Sequence, residues 1–115
     1  MATPESRVKK RVKEVLDRMG AYYFAPVQMG MGARTLDYLV CYKGKFFGIE
    51  AKGGEDKKPT KLQELCMKKI REAGGECVVI RTVVEADQLE HWLEQHAGPD
   101  YSEEQVYRMR TSPLL

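Results

Sequence analysis

The chain is poor in the residues that build membrane spans, disulfide frameworks and zinc sites. No apolar run approaches the ~18 residues a spanning helix needs, and the first thirteen residues are polar and basic, with no apolar signal-peptide core. Membrane and secreted proteins are therefore disfavoured, and a cytoplasmic protein is expected. Cysteine is scarce: Cys41, Cys66 and Cys77 are odd in number and far apart, and no Cys-x-x-Cys pair exists. They sit in apolar stretches and read as buried thiols of a reducing compartment. The two histidines, His91 and His96, are five residues apart on an expected helix, which is not the spacing that puts two metal ligands on one face. They read as solvated or packing residues.

What remains is an ordinary globular composition, 43% hydrophobic and 31% charged over 115 residues, which fits one domain. The net charge of +2 conceals a split. Residues 1–81 hold 17 Lys/Arg against 10 Asp/Glu, whereas residues 82–115 hold 2 against 7. A basic body with an acidic end suggests a polyanion partner for the first part, the alternative being a solvated surface.

Helical spacing of Val8, Val12, Val15, Leu16 and Met19 predicts a first helix from about Pro4 to Met19, with Thr3 as cap and Gly20 as stop. Residues 21–28, 35–42 and 45–52 read as strands, with a flexible glycine-containing loop over 29–34 and a hairpin turn at Lys43-Gly44. Core packing is the favoured reading of Tyr22, Tyr23 and Phe24, with stacking on bases as the alternative. Thr60-Lys61-Leu62-Gln63 has the form of a capping box. The helix it opens is expected to bury Leu62, Leu65, Cys66, Ile70 and Ala73. Residues 76–82 predict a fourth strand and 85–96 a third helix with Ala86, Leu89, Trp92 and Leu93 inward. Gly98-Pro99 breaks that helix, and residues 102–110 read as a short last one. The order α-β-β-β-α-β-α predicts an α/β fold with a mixed central sheet flanked by helices.

The hairpin carries the chemistry. A two-residue turn at Lys43-Gly44 pairs Tyr42 with Lys45, places Asp37 opposite Glu50, and places Thr35 opposite Lys52. Period two then puts Asp37, Glu50 and Lys52 on one face. Cross-strand neighbours have Cβ atoms roughly 4.5–5.5 Å apart, and two carboxylates that close repel unless compensated. A divalent cation is the natural compensation. Mg²⁺ takes oxygen ligands and needs one or two protein carboxylates plus a phosphate. Lys52 beside it can orient a water or offset phosphate charge. The bland reading is a Lys-neutralised pair at the sheet end.

This order of residues resembles the PD-(D/E)XK nuclease superfamily, and more narrowly its small stand-alone VRR-NUC proteins, over roughly residues 3–83. The resemblance rests on Glu5 in the first helix, the glycines at 30–32, Asp37, then Glu50-Ala51-Lys52, Lys58-Pro59-Thr60 and Gln63. Leu36 departs from it, standing where the family usually has proline. The resemblance implies a restriction-endonuclease-like α-β-β-β-α-β core over residues 1–97, with a C-terminal helical extension over 98–115. It implies metal-dependent hydrolysis of nucleic-acid phosphodiesters with Mg²⁺, for which Mn²⁺ substitutes. Asp37, Glu50 and the Ala51 carbonyl would be metal ligands, and Lys52 would help activate the attacking water. Glu5 would hold a second metal or a water, or is simply a favourable acid at a helix N-terminus. Gln63 would contact the site or a phosphate, or only close its capping box. Phosphate contacts would come from Lys9, Lys10, Lys13, Arg34, Lys57, Lys58 and Lys61. The resemblance also implies a homodimer that cuts four-way (Holliday) junctions in a bacterial or phage-infected cell. A nuclease on duplex ends or flaps, and a DNA-binding module without catalysis, are the alternatives. The acidic end, with Trp92, Tyr101, Tyr107 and Met109, is either a dimer contact or a closing helix and tail.

Overall fold

The structure is a computed structural model and describes residues 2–27 and 35–99. Helix α1 runs Pro4–Met19, with the Thr3 hydroxyl accepting from the Ser6 N–H and Gly20 closing the helix in the left-handed conformation. Strands β1 (Tyr22–Phe24), β2 (Tyr38–Tyr42) and β3 (Lys45–Ala51) follow, then α2 (Lys61–Glu72), β4 (Glu76–Ile80) and α3 (Val83–His96). The sheet order is β1-β2-β3-β4. The first two pairings are antiparallel, and β3 with β4 is parallel across the α2 crossover.

The hairpin register is the expected one: Tyr42 pairs with Lys45 and Tyr38 with Ile49. Lys43 and Gly44 both have positive φ, 47° and 76°, as a turn matched to strand twist requires. The strands are shorter than expected. β2 begins at Tyr38 rather than Thr35, because side chains replace the ladder there. The Asp37 N–H donates to the Glu50 carboxylate at 3.0 Å, and the Ala51 N–H donates to the Asp37 carboxylate at 2.8 Å.

One face of the sheet carries Tyr38, Val40, Phe47, Ile49 and Ala51 against the valine stripe of α1 and Ala86, Leu89 and Leu93 of α3. Leu36, Met67 and Cys77 form a second cluster on the α2 side. The molecule is thus a three-layer α/β/α domain, and α3 buries the residues expected of it, with Trp92 edge-on to Phe47 at 5.5 Å.

Several expectations need correction. Helix α2 buries Met67, with Cys66 and Ile70 partly covered, while Leu62 is 59% exposed and Leu65 is exposed too. Cys66, Met67 and Ile70 face the sheet; Leu65 lies off that stripe, whereas Leu62 shares it one turn before Cys66 but is exposed in the first turn of the helix, and Ala73 at the C-cap is exposed as well. Only Cys77 is a buried thiol; Cys41 is exposed, because alternation along β2 turns it away from the face that buries Val40. Tyr22 (79% exposed) and Phe24 are not core residues; on an edge strand only Tyr23 turns inward, onto Tyr38. The segmental charge split is partly internal: Arg11 pairs with Asp87 and Arg18 with Glu90 between α1 and α3. The glycine loop at 30–32, Arg34 and the short helix over 102–110 lie outside the described residues. Among the described residues, no helix is long and apolar enough to cross a membrane.

Candidate active site

Three chain features converge where β3 ends. Residues with even numbers on β3 point away from the α1–α3 core, so Glu50 projects toward α2. It is nonetheless only 2% exposed. One of its oxygens accepts the Asp37 N–H. The other accepts from the Gln63 side chain and lies 3.4 Å from the Lys52 ammonium. Burial, and then the neighbouring Asp37 charge, push the Glu50 carboxyl up to about 7 from an ordinary 4.5, against the opposing pull of Lys52.

Gln63 closes its capping box and also reaches Glu50. Its side-chain oxygen accepts the Thr60 N–H at 2.9 Å, completing the capping box of α2. The amide nitrogen is thereby aimed at Glu50. The cap thus fixes the amide on the carboxylate, and the start of α2 faces the acid pair.

The first two turns of α1 close the other side. Lys9 stands between two acids, 3.5 Å from Glu5 and 3.6 Å from Asp37. Burial works against its charge, but Asp37 and Glu5 outweigh it and hold the ammonium pKa above the ordinary lysine value. The Tyr38 hydroxyl donates to the Lys9 carbonyl at 3.1 Å and ties this turn to the start of β2. Gly53 lets α1 come this close: a Cβ there would lie 2.8 Å from the Glu5 backbone nitrogen.

Thr3, Glu5, Lys52, Gly53, Lys57 and Lys58 line an open groove of about 400 Å³ beside the acids. The structure therefore brings Asp37, Glu50, Lys52 and Gln63 together, and Lys52 borders the groove that Lys57 and Lys58 line. Glu5 is within one ammonium of the pair, but among the described residues no three His, Cys, Asp or Glu side chains form a group able to hold a metal. Of the expected phosphate contacts, Lys9 is engaged with acids, Lys13 pairs with Asp17 at 3.1 Å, and Lys10 and Lys61 are exposed. Three features escaped the sequence reading. The Glu5–Lys9 pair has a signal, the i,i+4 spacing of opposite charges. The hydrogen bond from Arg81 to the Lys57 carbonyl, at 3.0 Å, has none. Neither has the packing of Leu36, whose Cδ1 fills the space a Cβ at position 48 would need.

A mixed sheet with helices on both faces, bearing Asp, Glu and Lys together at the end of adjacent strands, defines a restriction-endonuclease-like domain. No family model and no curated protein matches the chain. Among solved structures it is similar to a chain described as a VRR_NUC domain, with 28% identity and a TM-score of 0.67 over 79% of this chain and 99% of that one. That likeness to a VRR-NUC domain, together with the shared fold, supports a nuclease of the PD-(D/E)XK-like superfamily.

Proposed function

We propose that the protein is a Mg²⁺-dependent DNA endonuclease that acts on branched DNA, four-way junctions above all, as a homodimer. The observation that carries the metal dependence is the burial of Glu50 against Asp37. Two carboxylates and a neighbouring backbone carbonyl are hard oxygen donors, a set that suits Mg²⁺ or Mn²⁺. Asp37, Glu50 and the Ala51 carbonyl would hold the ion. When bound, it would lower the pKa of its water and offset the charge that develops in an in-line displacement.

The chain's own residues supply the rest. Lys52, 3.4 Å from Glu50, is placed to orient the attacking water and to face a phosphate oxygen. Gln63 fixes the Glu50 carboxylate by donating to it. Lys57 and Lys58 line the groove beside Lys52 and offer positive charge to the flanking phosphates. Contacts of this kind fix register without reading sequence, which favours recognition of shape. Symmetric cleavage of a junction needs two sites, and a two-fold dimer supplies them.

The test is cleavage of labelled four-way junctions, flaps, plain duplex and single strands, with Mg²⁺, with Mn²⁺ or with EDTA. Paired nicks in junctions, lost in EDTA, are expected. Cleavage that survives EDTA overturns the metal dependence, and preference for plain duplex or flaps overturns the junction assignment. Binding without any cutting would instead identify a DNA-binding module.

A further inference from the structure

We propose that Lys9 is a built-in cation that holds this site to a single divalent ion. It does so by occupying the place where a second ion shared by Glu5 and Asp37 would sit. The inference rests on the metal-dependent reading above and deepens it.

Lys9 is held at both of its ends. The Tyr38 hydroxyl, on a side chain 7% exposed, donates to its carbonyl. Its ammonium touches acids from two separate elements, Glu5 one helical turn back and Asp37 at the head of β2. Lys13, a turn further along, pairs outward with Asp17 and shares none of this. The ammonium sits between Glu5 and Asp37, and among the described residues these acids and Glu50 form no three-acid group able to hold a metal.

Charge balance points the same way. With Glu50 ionised, as a ligand to a metal is, Glu5, Asp37 and Glu50 bring three negative charges, and Lys9 and Lys52 return two. One divalent ion more than cancels the remainder. A second, held by Glu5 and Asp37, would have to displace Lys9 or face its charge at contact distance. Each Asp37 oxygen also has a partner, Oδ2 from the Ala51 N–H and Oδ1 from Lys9. An ion shared by Glu5 and Asp37 would have to take Oδ1 on the Glu5 side, the oxygen Lys9 covers. Lys9 is thus a positioning residue that turns a potential two-ion site into a one-ion site.

The experiment counts ions on the full chain without DNA, by electron paramagnetic resonance of MnCl₂ and by calorimetry with MgCl₂. The wild type is expected to take one ion per chain. Lys9→Met is expected to take two, and Lys9→Met combined with Glu5→Gln is expected to return to one. Lys9→Arg, which keeps the charge, should stay at one. Lys9→Gln is the second neutral variant, should Lys9→Met fail to fold. Two ions on the wild type, or one on both neutral variants, overturns the proposal and leaves the metal dependence standing. No ion on any of the proteins overturns the metal dependence itself and the proposal with it.

Discussion

Two sets of charged side chains in this small domain use the same residue types for opposite ends. Between α1 and α3, Arg11 meets Asp87 at 2.7 Å and Arg18 meets Glu90 at 2.9 Å, all in contact with water. At the end of β3, Glu50 is shut away from water beside Asp37, with Lys52 and Gln63 against it. The exposed set cancels charge where solvent already screens it. The buried set confines like charges that destabilise the metal-free chain. The first arrangement is a surface; the second is a strained acid pair, which the proposed cation would relieve.

The comparison breaks most visibly under substitution of the buried set. Asp37→Asn keeps an oxygen to accept the Ala51 N–H and removes one negative charge. Lys52→Ala removes the ammonium beside Glu50. Each is expected to slow single-turnover cleavage by about a hundredfold or more and to leave binding of the same DNA mostly intact. Joint loss of cleavage and binding would signal a folding defect, and undiminished cleavage would place the chemistry elsewhere.

Much of this site was legible in the sequence because it depends on local rules. The Lys43-Gly44 turn fixes the hairpin register, the register fixes which residues oppose, and period two fixes the shared face. Asp37, Glu50 and Lys52 follow from those steps alone. Gln63 follows from the capping box, whose geometry also aims its amide. Tertiary packing decided what local pattern left open. Leu62 and Leu65 are as apolar as Met67, and only the docking of α2 on Leu36 and Cys77 selects the buried one. Lys9 looked like one more basic residue of α1 because its partner Asp37 is 28 positions away and reaches it only once the α1 turn is docked. The acidic charge of α3 reads as an unpaired end in the sequence for the same reason: its partners Arg11 and Arg18 meet it only across the folded layer.

A smaller effect sharpens the comparison by pH. The Glu50 carboxyl is raised from 4.5 to about 7 in the folded chain, first by burial and then by Asp37. The folded protein therefore binds this proton more tightly than the unfolded chain does. The resulting stability is fully present below about 4.5 and is lost as pH rises through about 7, a contribution on the order of 3 kcal/mol at most. Metal-free protein is expected to melt at a lower temperature at pH 8 than at pH 5.5. Glu50→Gln should flatten that dependence, and saturating Mg²⁺ should restore the melting temperature at pH 8. A melting temperature indifferent to pH in the wild type would show that Glu50 is not held as a strained acid.

The smallest effect belongs to the exposed set. Both Arg18 contacts, from Nε at 3.2 Å and from an outer guanidinium nitrogen at 2.9 Å, end on the same Glu90 oxygen. A fork closed on one atom lacks the two parallel bonds that make arginine–carboxylate pairs strong. The side chains are 61% and 49% exposed, so salt screens the attraction. Arg18→Gln is expected to cost less than about 1 kcal/mol in denaturant unfolding, less still at high salt, and to leave nuclease activity unchanged. A loss above about 2 kcal/mol, persisting at high salt, would mean that the α1–α3 pairs hold the layer together rather than coat it. In that event the energetic line between surface and site would not fall at solvent exposure.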